Sequence, residues 1–365
     1  MRIGYSFWGF LGDYKIKNGR ELSTPDGNAT YSWSIIHEAL ERGHQIFMMQ
    51  QDRDWEAFLE KGVYDFASFS REKRYESYLN IERTNGVDLP DLDLLLVEWR
   101  FPIPGRNTMV DKTDIFYQPD LDRQTEILKH YKQLGTKIVL WDLDHKLTEE
   151  DEKTWCPDMI VETSVEPRRL TMDRVRIEPP IIIEDLLQHP TVACDPKKKL
   201  AYIGSRYERD DVIEQYIKPV SDRFPNEVQF WGNWTREETL REVVKLWPNI
   251  SYNDRICTRD FGKVYNDAVA CPLLGKRGYM KTGFITPRIW EALIFGTIPI
   301  GFKEFNGINS YLPATCIVEN ACELGDAVES LSTMSTRQRD NLRRYIVEMI
   351  SFMDVSYLIN ILEGA

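Results

Sequence analysis

The sequence predicts an α/β protein built from two parallel sheets, each covered on both faces by helices. Three observations predict it. Short apolar segments of strand length alternate with amphipathic helical segments along the whole chain, the pattern of parallel sheets buried on both sides. At 365 residues the chain exceeds an ordinary single core, which asks for two domains. The stretch RIEPPIIIEDLLQHPTVACDPKKK, from Arg176, then interrupts the alternation and reads as an interdomain linker rather than a packed element, with the boundary near Glu184. Residues 1–183 and 184–365 are therefore expected to form two facing Rossmann-like domains, the second ending in helices.

In the first half, strands are expected over Arg2 to Ser6, Gln45 to Met49, Leu92 to Val97, Lys137 to Trp141 and Met159 to Glu162. Between them, Tyr31 to Arg42 reads as a helix with Ile35, Ile36 and Leu40 inward and Gly43 at its end. Gln124 to Leu134 is another, closed by Gly135. Neither begins with the GxGxxG turn of a dinucleotide site. The second half repeats the plan with strands over Leu200 to Ile203, Glu227 to Phe230, Ala268 to Leu273 and Ile298 to Ile300. Helical periodicity fills the rest past Ala321, with a last helix over Val355 to Leu362.

Composition narrows the function. A 42% hydrophobic content supports packed cores rather than disorder, and neither a signal-peptide pattern at MRIGYSFWGF nor a spanning apolar run is seen, so an intracellular protein without a membrane partner is expected. The six cysteines lack a CxxC pair and the five histidines lack metal spacing; reduced, mostly buried thiols and no structural metal follow. Net charge is −12, of which Met1 to Pro180 carries −9, so the chain has no global field for a polyanion and a nucleic acid would need a local basic face.

The chemistry-bearing stretch is FITPRIWEALIFGTIPIGF, Phe284 to Phe302. Thr286 is placed to cap a helix and Pro287 suits its first turn, which puts Arg288 and Glu291 on one face near the positive helix end; Gly296 ends the helix before the next strand. An arginine with a helix N-terminus fits a diphosphate, and the carboxylate fits paired ribose hydroxyls. Spacing alone equally allows an Arg288 to Glu291 ion pair on a helix surface. Strand Leu200 to Ile203 ends in GSRYERDD, a turn with free N–H groups and two arginines that suits a diphosphate but lacks P-loop spacing; a plain strand-to-helix turn with surface arginines is the other reading.

In the first half, strand Lys137 to Trp141 runs into DLDHK. A carboxylate at the carboxyl end of a parallel strand faces the crevice where such sheets bind ligands. Asp142 and Asp144 allow three uses from here: a general base, a DxD metal pair, or capping of a loop or helix. His145 reads as a solvated or hydrogen-bonded histidine rather than a second base.

FITPRIWE, the IGSR of Ile203 to Arg206 and the FWGN of Phe230 to Asn233, in that separation, resemble the DNA β-glucosyltransferase family of T-even bacteriophages. The resemblance implies the two-domain GT-B glycosyltransferase fold, with a UDP-sugar donor held mainly by the second half. Ser205, Arg206 and Arg288 would hold the diphosphate with Arg209 as helper, Glu291 the ribose, the Ile256 backbone the uracil, and Tyr279 a phosphate. Asp144 falls on the family's essential aspartate, as the base of a single displacement that inverts the sugar. Asp26 or Asn28, in the loop STPDGNAT, would touch the donor sugar, and Glu98, Trp99 and Arg100 lie in a cleft-side segment that suits an acceptor base. That segment equally suits a packed Trp beside a surface ion pair.

The acceptor implied is a hydroxymethylated pyrimidine, 5-hydroxymethylcytosine first, in double-stranded DNA, acted on by a monomer in the cytoplasm of an infected cell. The sugar is glucose or a pentose such as arabinose; a divalent metal is allowed but not required. For DNA, Lys15, Lys17 and Arg20, and the run Arg71, Lys73, Arg74 and Tyr75, offer phosphate contacts, although such clusters are more often solvated faces. A non-DNA acceptor and a nucleotide-sugar-binding protein without turnover are the alternatives.

Overall fold

The computed structural model describes residues 1–6, 15–17, 20–22, 27–49, 81–83, 89–102, 120–168, 170–188, 195–256 and 260–365. Its strands run in chain order as β1 (Arg2–Ser6), β2 (Lys15–Lys17), β3 (Arg20–Leu22), β4 (Gln45–Met48), β5 (Ile81–Arg83), β6 (Leu94–Glu98), β7 (Lys137–Trp141), β8 (Met159–Glu162), β9 (Arg174–Arg176), β10 (Lys198–Ile203), β11 (Val228–Trp231), β12 (Ile250–Asn253), β13 (Ala268–Pro272), β14 (Ile298–Phe302) and β15 (Ile317–Val318). The first sheet has the order β5-β4-β1-β6-β7-β8-β9, and the second β12-β11-β10-β13-β14-β15; β2 and β3 form a separate antiparallel pair. Both large sheets are parallel throughout.

Every residue of β6, β13 and β14 is buried, which explains why these strands read as unbroken apolar runs rather than alternating ones. In each sheet the strand order reverses beside the first strand, between β1 and β6 and between β10 and β13. Crevices at the carboxyl ends of such reversals are where ligands of open α/β sheets bind. Among the described residues, no helix is long and apolar enough to cross a membrane. Cys271 and Cys316 are buried, whereas Cys156 and Cys322 are exposed, so burial of the thiols holds for only part of the described set.

Three elements differ from the sequence reading. The helix expected from Tyr31 starts at Gly27, drawing part of the STPDGNAT loop into its first turn. Much of the stretch expected to be a linker is packed: Arg174–Arg176 joins the first sheet, and Ile177, Ile181, Ile183 and Leu186 are buried, the last two in the helix Ile183–Gln188. The prolines there end strand pairing without exposing the isoleucines that follow, which join one apolar cluster running from Ile3 and Trp141 to Ile300 and Phe302. Finally, the terminal helix Ser356–Gly364 returns to the first half, where Arg42 donates to Asn360 Oδ1 at 2.6 Å and pairs with Glu363 at 3.0 Å.

The turn after β7 stands on a buried charge network. Arg174, whose side chain is fully buried, pairs with Glu152 at 2.6 Å and Glu162 at 2.9 Å, while Arg168 pairs with Glu162 at 3.3 Å and with Asp142. Removing one partner of a buried pair leaves the others desolvated and uncompensated. Arg174→Ala is therefore expected to lower unfolding free energy by about 3–5 kcal/mol, read as a fall in the urea midpoint.

Candidate active site

Arg288 is the organising side chain. Its helix, Arg288–Ile294, has Pro287 at the N-cap and no side-chain cap, because the Thr286 hydroxyl that was expected to cap it accepts instead from Arg288 Nη1 at 3.2 Å. Gly296 closes the helix with φ 81°, a conformation that favours glycine, and turns the chain into β14. The Arg288 Nε donates to Ile203 O at 2.9 Å and Nη1 to Leu274 O at 3.4 Å, so the guanidinium bridges the ends of β10 and β13 at the strand-order reversal. It also lies 4.6 Å over the Tyr202 ring. Its Nη2 makes no hydrogen bond among the described residues and faces Gly204.

That close approach depends on the missing side chain. A Cβ at Gly204 would sit 2.6 Å from the Tyr202 hydroxyl and 2.7 Å from Arg288 Nη2. Gly204→Ala is expected to displace the buried Tyr202 ring and push the guanidinium off the turn, an overpacking that costs about 1–3 kcal/mol of stability, read as a fall in the urea midpoint.

Glu291 lies on the same half-buried helix face, yet no ion pair joins it to Arg288 among the described residues, so the surface-pair reading is not what the structure adopts. Burial pushes its carboxyl up to about 7, against the opposing pull of Arg288. The Gly204–Ser205 turn beside it is further fixed by Trp234 Nε1, which donates to Gly204 O at 2.7 Å.

The other arginines of the turn are already engaged. Arg206 bonds Asp210 at 2.8 Å and Glu242 at 3.0 Å, and these hydrogen bonds raise its pKa. Arg209 is buried and donates to the carbonyls of Leu274, Ser205 and Tyr207 at 3.2, 3.3 and 2.8 Å. It shapes the turn from behind. Ser205 and Arg206 line a cleft of about 840 Å³ together with Lys276, Arg277 and Gly278. Arg288, Glu291 and Asp144 are not among its lining residues.

Asp144 crosses to the second half. Its Oδ1 accepts from the Tyr279 hydroxyl at 2.6 Å, a contact between residues 135 positions apart, and burial together with this carboxylate raises the phenol's pKa. Asp142, two residues earlier, takes another course: its Oδ1 accepts from the amides of Lys146 and Leu147 at 2.7 and 3.1 Å, and Arg168 engages Oδ2. The two carboxylates of the DxD thus do not face a common point, since Asp142 organises the turn that presents Asp144. His145 takes a left-handed backbone at φ 56° and packs edge-on to Phe284 and Tyr279, at 5.7 and 6.0 Å. Its Nε2 is buried, lacks a hydrogen-bond partner among the described residues and lies 3.8 Å from Glu162, and burial holds its pKa down. The expected solvated or hydrogen-bonded histidine is a packed one.

The remaining expectations divide. Glu98 is buried and accepts from Tyr5 at 2.6 Å, and Arg100 is buried with Nη1 on Ser6 Oγ at 3.3 Å, so neither belongs to a surface ion pair; Trp99 is packed. Ile256 is half-buried against Ala201, Ile203 and Phe261. Asn28 falls in a helical turn, whereas Asp26, Arg71, Lys73, Arg74 and Tyr75 lie outside the described residues. Lys15, Lys17 and Arg20 are on the β2–β3 pair. Lys276 was missed: its ammonium sits 4.4 Å over the Tyr207 ring and 4.9 Å over the Tyr279 ring, and the surface-like run Lys276-Arg277 gives no sign of this.

No family model and no curated protein matches the chain. Solved structures do. T4 phage β-glucosyltransferase with its UDP-glucose substrate is similar at TM-score 0.56 and 17% identity, covering 96% of this chain and 94% of that one. An α-glucosyltransferase in complex with UDP and a 13-mer DNA containing an HMU base is similar at TM-score 0.61 and 13% identity, covering 100% and 98%. Anabaena HepE in complex with UDP-glucose is similar at TM-score 0.55 and 9% identity, covering all of both chains. These likenesses show the fold: two facing Rossmann-like domains in the GT-B arrangement that the family resemblance implied.

Proposed function

We propose that the protein is a glycosyltransferase that moves a sugar from a UDP-sugar to the 5-hydroxymethyl group of a modified cytosine in double-stranded DNA. The observation that carries this reading is the hydrogen bond between Asp144 and Tyr279, which joins a carboxylate of the first half to the half that carries Arg288 and Glu291. Glu291 receives the ribose hydroxyls, and Arg288 Nη2 with the Ser205 N–H receives the diphosphate; the Gly204 N–H, expected to be free, is instead bonded to Trp231 O at 2.8 Å. Asp144 takes the proton of the acceptor hydroxyl as its oxygen bonds to the anomeric carbon. The bond from that carbon to the diphosphate breaks, its electron pair leaves on the phosphate oxygen, and the sugar inverts. A base stacked in duplex DNA has to leave the stack to reach this crevice. Structures named for glucosyltransferases with UDP-glucose, or with UDP and DNA, share the fold and support the donor class and the DNA acceptor.

Incubation with hydroxymethylcytosine-containing duplex DNA and a panel of UDP-sugars, followed by digestion and mass spectrometry of the nucleosides, tests it. A hexose or pentose increment is expected, and the anomeric configuration of the product reads the stereochemistry. The charge of −9 on the first half favours one second reading, a non-DNA acceptor. Hydrolysis of donor without any increment on DNA supports that alternative, and donor binding with neither transfer nor hydrolysis points to a binding protein.

A further inference from the structure

Four cations line the cleft beside Arg288; among the described residues three of them, Arg206, Arg277 and Lys276, contact carboxylates, and these three are not equivalent. Arg206 is neutralised by Asp210 and Glu242, and Arg277 by Asp211 and Glu304, with Gln215 on its remaining nitrogen at 2.6 Å. Lys276 has, among the described residues, a single carboxylate within ion-pair distance, Glu208 at 3.6 Å, and that residue is itself more than half exposed. Two tyrosines hold the ammonium: Tyr207 from the turn after β10, and Tyr279, whose hydroxyl is on Asp144. Cation–π contact fixes a lysine head without consuming its three N–H donors. Lys276 is thus a positioned cation with donors to spare, on the cleft wall and one ring away from the carboxylate assigned as base.

We infer that Lys276 binds the diphosphate of the sugar nucleotide beside Arg288 and takes up the charge that develops there as the sugar departs. This rests on the UDP-sugar reading above. Two observations favour an anion here over a purely structural ammonium. Burial pushes the lysine pKa down while Asp144 and Glu208 pull it back up, so the site gains from an added negative charge. The neighbouring arginine expected to bind phosphate, Arg206, is already matched by two carboxylates, and Arg236, which also lines the cleft, is an exposed residue rather than one held between two rings. The step moves no proton to or from Lys276; its N–H groups hydrogen-bond to the phosphate oxygen that receives the electron pair.

The test is calorimetric titration of wild type, Lys276→Met and Lys276→Arg with UDP and with uridine, alongside far-UV circular dichroism and binding of duplex DNA without donor. Wild type is expected to prefer UDP over uridine. Lys276→Met should lose about tenfold or more in UDP affinity, the scale of a charged hydrogen bond, with uridine affinity unchanged, and Lys276→Arg should recover part of the loss. A methionine variant that is folded and binds UDP as wild type does overturns the inference and leaves the UDP-sugar reading standing. Weakened DNA binding with UDP affinity intact also overturns it, by assigning the lysine to the acceptor. If wild type itself binds no UDP, the donor reading fails and the inference with it.

Discussion

Asp144→Asn is expected to slow sugar transfer by about 10²- to 10⁴-fold, the contribution of a positioned general base, while UDP-sugar affinity stays close to wild type. The amide is the right probe because it keeps the shape and the acceptor oxygen: the Tyr279 hydroxyl donates to Oδ1 at 2.6 Å, and an asparagine carbonyl accepts the same bond. The contact between the halves therefore survives, and what is removed is the capacity to take a proton. Single-turnover transfer onto hydroxymethylated duplex DNA, measured beside donor titrations, separates the two. A variant that transfers at the wild-type rate would remove Asp144 from the role of base. A variant that loses donor affinity in parallel with rate would make it a binding group for the sugar. Asp142→Asn is the internal contrast: its carboxylate accepts two turn amides and an arginine, so its loss is expected to appear as instability rather than as a selective loss of rate.

The difference between these neighbouring aspartates shows what the sequence holds and what it hides. DLDHK at the end of an apolar strand announces a carboxylate in the crevice, because a parallel strand delivers its carboxyl end there. It does not say which of the two is free. That depends on Arg168 and on the backbone of Lys146 and Leu147, whose positions follow from a turn built on a buried network reaching Glu152, Glu162 and Arg174. The helix that follows, Glu149–Trp155, starts in a capping box between Thr148 and Asp151.

A similar division runs through the second half. FITPRIWE gave Arg288 and Glu291 on one helix face by spacing, and the structure keeps them there. Spacing gave the wrong partner for Thr286, because a helix cap competes with any nearby donor, and the guanidinium two residues on is a strong one. Arg206 to Asp210 is an i,i+4 pair visible in the sequence, but Glu242, which completes the neutralisation, is 36 residues away. The linker reading failed for a related reason. Prolines report where strand pairing stops, whereas burial of Ile181 and Ile183 is decided by a cluster assembled from both sheets.

Donor affinity is expected to rise with pH and level off at about pH 8, one unit above the carboxyl's value of about 7, with Glu291 as the titrating group. Burial moves this carboxyl from an ordinary value of 4.5 up to about 7, so a large fraction is protonated in mildly acidic solution, where an exposed glutamate would be ionised. A ribose presents two hydroxyl donors, and a carboxylate accepts both, whereas a carboxylic acid offers a weaker acceptor and an unwanted donor. Binding therefore favours the deprotonated form, and its affinity falls as pH drops below about 7. Between about pH 8 and pH 5.5 the loss for UDP-glucose is expected to be about tenfold. UDP-glucose is the ligand of choice because its diphosphate, esterified at both ends, does not titrate in this window. Glu291→Gln should bind at the level of the protonated wild type, with affinity nearly flat across the range. A wild-type profile as flat as the variant's would show that the carboxylate does not carry the ribose. A slope that persists in Glu291→Gln would assign the titration to another group, and His145, whose pKa burial holds below its usual value, is the one to replace next.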